Sequence, residues 1–254
     1  MLDNIYISLT SIKGNQASLY QTLDSISNQS IKPDKCFLYL SEESYLLDQG
    51  FQNRQVSPEL HSLLSNNSIF ELKWVKNTGP YRKLLPLLKD KKDEDCVIIA
   101  IDDDTVYDRD MIEIYINNYK KYNCVIAARA HTMKFDTIEN IAYEDRSQLN
   151  RLNLYNFHTG KGGVLYSPKF FAKSLNHFFN EEIYKDCCPF GDDIWFNLHR
   201  IANGVQCYIP EKSSYTKDNT TIFGLWNNIN SKNDNNTKYI RKTVHKLKEL
   251  GYLL

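Results

Sequence analysis

The sequence predicts an α/β fold with a Rossmann-like, mainly parallel central sheet flanked by helices. Three observations carry that expectation. Short apolar runs alternate with amphipathic helical stretches through the first half of the chain. The most continuously apolar run, Cys96-Val97-Ile98-Ile99-Ala100-Ile101, reads as a strand buried on both faces and hence central. No internal repeat and no linker divides the sequence. Regular βα alternation implies right-handed crossovers and a sheet covered on both sides.

Taken in order, Ile5 to Leu9 reads as the first strand. A polar turn at Ser11 to Asn15 follows, then a helix with Leu19, Leu23 and Ile26 on one face. Pro33-Asp34 marks the next turn and Cys36 to Leu40 the second strand. A short helix over Pro58 to Leu64 leads to a third strand, Ile69 to Val75. The loop Lys76 to Pro80 then feeds a helix from Lys83 to Lys89. The central strand is followed by a helix from Arg109 to about Tyr122 and a strand at Cys124 to Ala128. The second half is less regular. Ala130 to His158 reads as a long excursion over the active face, and Thr159 to Tyr166 is glycine-rich and ends as a strand. Helices are expected at Lys169 to Phe179 and Asp192 to Ala202, a strand at Val205 to Ile209, and a polar loop at Ser231 to Thr237. A tail helix, Lys238 to Leu250, offers Ile240, Val244 and Leu247 to the body. The expectation is one domain over residues 1–254, with a regular first half (1–129) and a second half that ends in a helical tail (130–254).

Composition narrows the function. Lysine plus arginine and aspartate plus glutamate number 31 each, so no broad basic face for nucleic acid is expected. The longest clean apolar run is far short of a bilayer crossing and the first residues lack a basic-then-apolar leader, so a cytoplasmic protein is expected. Peripheral contact with the inner face of the membrane needs no span. Of the six cysteines, Cys36, Cys96 and Cys124 lie in strand-like runs and read as free buried thiols. Adjacent Cys187 and Cys188 lack zinc-knuckle spacing.

Ligands of open α/β sheets collect outside the carboxyl ends of the strands, which singles out Thr10 to Gly14, Asn77 to Lys83, and Asp102 to Asp104. The last is the sharpest signal, with three carboxylates at the exit of the central strand. In extended or turning backbone Asp102 and Asp104 point the same way, and their repulsion raises their pKa values unless a cation intervenes. All-oxygen ligands of this kind suit Mg²⁺ or Mn²⁺ with a substrate phosphate. The plain alternative is a solvated acidic turn.

The apolar strand running into Asp102-Asp103-Asp104 resembles the Asp-x-Asp signature of the GT-A glycosyltransferases, and more closely the family 2-like group of bacterial surface-polysaccharide enzymes. Other segments agree in order: Ile5 to Ser11, Leu23 to Asp34, Gly79-Pro80-Tyr81-Arg82-Lys83-Leu84-Leu85-Pro86, Gly162 to Pro168, and Gly191-Asp192-Asp193-Ile194-Trp195. The resemblance covers roughly Ile5 to Ile209 and stops at Pro210.

The resemblance implies a metal-dependent, inverting hexosyltransferase. It would move a sugar from a nucleoside diphosphate donor, expected to be UDP-linked, to a glycan or glycolipid hydroxyl in polysaccharide synthesis. Asp104, with Asp102 directly or through water, would hold Mn²⁺ or Mg²⁺, and Asp102 and Asp103 would meet the nucleotide sugar. Thr10 and Ser11 would contact the nucleobase, and Lys83 and Arg82 the diphosphate. Gly162 and Gly163 would let backbone approach the acceptor sugar or serve a tight turn. Trp195 is a stacking platform for the acceptor or, more simply, core. Asp193, with Asp192 beside it, is the candidate general base; the assignment can slip by one residue, and both also fit helix capping. His199 and His245 are weak metal candidates, and Lys217 and Asn219 lie in a segment placed to close over the donor. Two rival readings remain at this level. A nucleotidyltransferase would want a basic glycine-rich loop after the first strand, where Thr10 to Asn15 is sparse. A non-catalytic carbohydrate or nucleotide-binding module would be expected to lose an acid cluster.

Overall fold

A computed structural model describes residues 4–135, 141–144, 151–212, 214–218 and 235–252. The predicted alternation is present in the first half: β1 (Asn4–Thr10), α1 (Gln16–Ser27), β2 (Lys35–Leu40), α2 (Pro58–Ser65), β3 (Phe70–Trp74), α3 (Leu85–Asp90) and β4 (Cys96–Ala100). β3, β2, β1 and β4 lie side by side in that order, and every pairing among them is parallel. β4 is buried at every residue, as its unbroken apolar run predicts for a strand covered on both faces. α1 turns Leu19, Leu23 and Ile26 onto the sheet. The predicted Lys83 to Lys89 helix is α3, which begins at Leu85, and a separate 3₁₀ turn, Gly79–Lys83, precedes it. Pro80 and Pro86 explain the break, because each sits in the first turn of its segment, where its missing N–H is harmless.

Beyond β4 the sheet departs from expectation. The chain continues through β5 (Thr105–Tyr107), α4 (Met111–Tyr122) and β6 (Val125–Ala127), then β7 (Ala130–Phe135), β8 (Ile141–Glu144), β9 (Leu152–Asn153), β10 (Asn156–His158) and β11 (Val164–Tyr166). β11 inserts between β4 and β6 and is antiparallel to both, so the full order is β3-β2-β1-β4-β11-β6-β12-β9 and the sheet is mixed: six of these strands run one way, and β11 and β9 run against them. The reason lies in the connection. β11 enters the sheet from the β7–β10 excursion rather than from a crossover helix, so nothing constrains it to the direction of its neighbours. The excursion itself is built as an antiparallel sheet, β10-β7-β8, whereas the sequence suggested only irregular chain.

The remaining elements are α5 (Leu175–Phe178), α6 (Glu181–Cys187), α7 (Asp192–Ala202), β12 (Cys207–Tyr208), β13 (Tyr215–Asp218) and α8 (Asn235–Glu249). The predicted Lys169 to Phe179 helix is a 3₁₀ turn, Pro168–Phe171, followed by the single turn of α5. α6 and the β13–β5 ladder carry no clear sequence signal. α8 buries Ile240, Val244 and Leu247 as expected, each contributing about 1.5–3 kcal/mol of apolar burial. All six cysteines are free and buried. Among the described residues, no helix is long and apolar enough to cross a membrane. Asn219 and residues 231–234 of the predicted polar loop lie outside the described residues, and Lys217 is described only as a backbone position of β13.

Candidate active site

Several of the candidate residues gather at the carboxyl ends of β1 and β4. Asp102 follows the last described residue pair of the central strand: the Ile101 amide still donates to the β1 carbonyl of Ser8, at 3.0 Å, before the chain turns. The Tyr107 hydroxyl accepts the Asp102 amide at 3.0 Å, so the turn is braced by the strand that follows it. The three carboxylates then diverge. Asp102 Oδ1 accepts from Lys83 Nζ at 3.0 Å. Asp103 Oδ2 accepts from the Ser11 hydroxyl and from Asn15 Nδ2, the latter at 3.2 Å. Among the described residues, the Asp104 side chain has a single long contact, from its neighbour Thr105 at 3.4 Å. Burial, then the charges of Asp102 and Asp103, push the Asp104 carboxyl up to about 7, with Lys161 pulling the other way. Burial likewise raises Asp103 to about 6, against the stabilising bonds from Ser11 and Asn15.

The second acid pair opens α7. This helix is buried on almost every side, so its polar residues must find internal partners. Asn197 does so by copying a backbone: its amide oxygen accepts the His158 N–H at 3.1 Å and its amide nitrogen donates to the His158 carbonyl at 2.9 Å. Arg200 donates to the carbonyls of Leu154 and Val205, each at 2.8 Å, and to that of Asn156. α7 is thereby clamped to β10, and the loop leaving β10 passes the helix start. The Gly160 amide donates to Asp193 Oδ2 at 3.0 Å. Burial, then the charge of Asp192, push the Asp193 carboxyl up to about 7, against the pull of Lys83.

Lys83 joins the two clusters. Its Nζ lies 3.0 Å from Asp102 Oδ1 and 3.0 Å from Asp192 Oδ2, the second an ion pair off the hydrogen-bond direction. Burial alone would weaken the ammonium; the charges of Asp102, Asp192 and Asp193 outweigh it and hold the pKa well above the usual lysine value. A Cβ on Gly160 would stand 2.7 Å from that nitrogen, so a side chain there would displace the ammonium.

The other expected site residues are placed as follows. Ser11 reaches Asp103, while the Thr10 hydroxyl donates to the Tyr39 carbonyl at 2.7 Å between β1 and β2. Arg82 turns away from Lys83: its side chain is 2% exposed and paired with Asp48 at 2.7 Å, and it also donates to the Gly79 carbonyl. Asp48 in turn accepts from Asn77 and the Gly50 amide, so Arg82 anchors the loops after β2 and β3. Arg82 Nη1 and Asn15 Oδ1 are buried without a hydrogen-bond partner among the described residues. Gly162 and Gly163 adopt φ of +84° and +88° in a turn closed by Gly163 N–H to the Gly160 carbonyl. A Cβ at Gly162 would come 2.3 Å from that of Ala128, so packing within the protein already accounts for it. Trp195 corrects the acceptor-platform reading. It is fully buried, its indole N–H donates to the Phe178 carbonyl at 2.9 Å, and its ring packs on His199, leaving no face for a sugar. His199 is buried, bonded to Ser174 and held neutral by burial, at about 3; His245 is at the surface beside Glu249. The sequence reading missed Gly160, Asn15, Asp48 and Tyr107. Gly160 alone had a legible signal, its place in the run Gly160-Lys161-Gly162-Gly163.

Among the described residues, no group of three or more His, Cys, Asp or Glu side chains converges to hold a metal ion. Magnesium sites that bind substrate phosphates need only one or two carboxylates. Asp104, crowded by like charge and, among the described residues, without a cation in hydrogen-bond contact, suits that arrangement chemically with Asp102 beside it.

No family model matches the chain, and no curated protein matches it. Among solved structures it is similar to the 1-349 fragment of S. aureus TarS. The crystal structure with UDP aligns at a TM-score of 0.54 and 12% identity, covering 84% of this chain and 59% of that one. The structure with UDP-GlcNAc aligns at 0.53 and 11%, covering 87% and 60%. The chain therefore spans about 60% of the length of the fragment it matches. The likeness is one of fold: an α/β domain with a Rossmann-like, mixed central sheet between helices.

Proposed function

We propose that this protein is a glycosyltransferase that moves a sugar, a hexose from a UDP-linked donor, to a glycan hydroxyl with inversion. The observation that carries the reading is the convergence of two acid clusters, Asp102 to Asp104 and Asp192-Asp193, at the carboxyl end of the central strand, joined through Lys83. It is supported by the fold shared with a protein whose crystal structures hold UDP and UDP-GlcNAc.

The division of labour follows from the environments. Asp193 is the base: a carboxyl raised to about 7 takes a proton from an attacking hydroxyl far better than an ordinary aspartate. As the acceptor oxygen bonds to the anomeric carbon, the bond from that carbon to the diphosphate breaks; the proton goes to Asp193 and UDP leaves. The Gly160 amide keeps the Asp193 carboxylate aimed throughout. Ser11 and Asn15 hold Asp103 on the donor side. Asp104, with Asp102, would hold Mn²⁺ or Mg²⁺, which when bound supplies Lewis-acid stabilisation of the departing diphosphate.

The test is titration of UDP-GlcNAc and UDP-glucose with and without Mn²⁺, following release of UDP. Release is expected only with the ion, and Asp104→Ala is expected to lower it at least about 100-fold, the scale of several kcal/mol of lost charge stabilisation. Equal rates in Asp104→Ala would remove the metal assignment. No binding or release with any nucleoside diphosphate sugar would remove the reading itself.

A further inference from the structure

The donor side and the base side of the site belong to separate segments, the turn after β4 and the first turn of α7, which the backbone links indirectly, through the Gly160 amide on Asp193 and the pairing of β11 with β4. Lys83 does touch both. Its ammonium is 3.0 Å from a carboxylate of each, on a side chain only 11% exposed. The nitrogen lies against Gly160 and occupies space that a side chain at that position would take, since a Cβ there would sit 2.7 Å away. Its backbone is pinned as well: the Lys83 carbonyl accepts from the Ser8 hydroxyl of β1 at 2.6 Å. The residue before it, Arg82, is locked onto Asp48. To reach a diphosphate the ammonium would have to share its donors with two carboxylates already 3.0 Å away, Asp192 at 9% and Asp102 at 30% side-chain exposure.

Resting on the functional reading above, we propose that Lys83 is a positioning residue: it ties Asp102 to Asp192 and thereby sets the distance between the donor and the base Asp193, rather than binding the diphosphate. A compact ammonium suits this role, since it contacts two carboxylates from one point, where the planar fork of arginine would demand a pairwise geometry and more room beside Gly160. Misplacement of reacting groups by about 1 Å costs on the order of 100-fold in rate with little effect on binding, and that asymmetry separates the two roles.

The experiment compares wild type, Lys83→Met and Lys83→Arg with UDP-GlcNAc and UDP-glucose in Mn²⁺. It measures kcat and KM by UDP release and the Kd of UDP with Mn²⁺ by calorimetry. Lys83→Met is expected to lower kcat about 100-fold and to leave the UDP Kd within about threefold, with Lys83→Arg recovering part of the loss. A Kd raised tenfold or more with kcat retained makes Lys83 a diphosphate ligand and overturns the proposal. Melting curves of Lys83→Met, Asp192→Asn and the double variant supply a second reading independent of turnover. If the ammonium braces Asp192, the double variant loses less Tm than the two single losses combined; additive losses overturn the brace. Should wild type neither bind nor turn over a UDP-sugar, the functional reading falls, while the melting cycle still decides whether Lys83 joins the two segments.

Discussion

The two acid clusters that meet at Lys83 are held by opposite means. Asp102 to Asp104 lie on a turn whose carboxylates are met by side chains from distant segments: Ser11, Asn15 and Lys83. Asp192 and Asp193 open a buried helix that Asn197 and Arg200 fasten to β10, and Asp193 is met by a backbone amide. The Ser11 hydroxyl and the Asn15 amide can exchange for a ligand while Lys83 stays between the clusters, whereas a helix end clamped through main-chain contacts keeps its geometry. The contrast matches a division between an adaptable binding side and a rigid chemical side, since catalytic geometry tolerates little error.

The strongest challenge to this contrast is Asp193→Asn. Removing a general base while keeping shape is expected to lower kcat about 10³-fold with the UDP Kd unchanged, measured by UDP release and calorimetry. If Asp192→Asn gives that loss instead, the base is one residue earlier. Next is Arg82→Met, which leaves Asp48 buried without its cation. Loss of about 3–5 kcal/mol in urea unfolding is expected, the scale for breaking one side of a buried pair. A loss below about 1 kcal/mol would mean that the loops after β2 and β3 are anchored otherwise.

A pH profile sharpens the comparison further. Asp193 works deprotonated, so with its carboxyl at about 7 the rate should climb about tenfold per pH unit up to pH 7 and level off above it, a limb absent from Asp193→Asn. Linkage gives the matching stability effect. A carboxyl whose folded pKa is raised favours the neutral form in the native state, so its contribution is present at low pH and is lost as pH rises from about 4 to about 7. Tm of the ligand-free protein should therefore fall less steeply over that window in Asp193→Asn than in wild type. The smallest effect expected is from Trp195→Phe: loss of one buried hydrogen bond to Phe178, about 1 kcal/mol by thermal or urea unfolding, with UDP release unaltered. A large change in release with normal stability would restore an acceptor role to this ring.

Periodicity and composition alone determined the parallel half of this protein. The strands from Asn4 to Ala100, the helix over Asp192 to Ala202 and the buried face of α8 could be read because each is encoded by residues adjacent or a few apart in the chain. The acidic exit of β4 was legible for the same reason: a polar triad after an unbroken apolar run is a local pattern. Tertiary structure alone decided the direction of β11, which depends on where a long excursion returns and not on the residues Val164–Tyr166 themselves. It also decided the fates of two adjacent cations, Arg82 turned into Asp48 and Lys83 turned between Asp102 and Asp192. Sequence order cannot separate such neighbours, because the energy of a buried charge is set by the partners the fold brings to it.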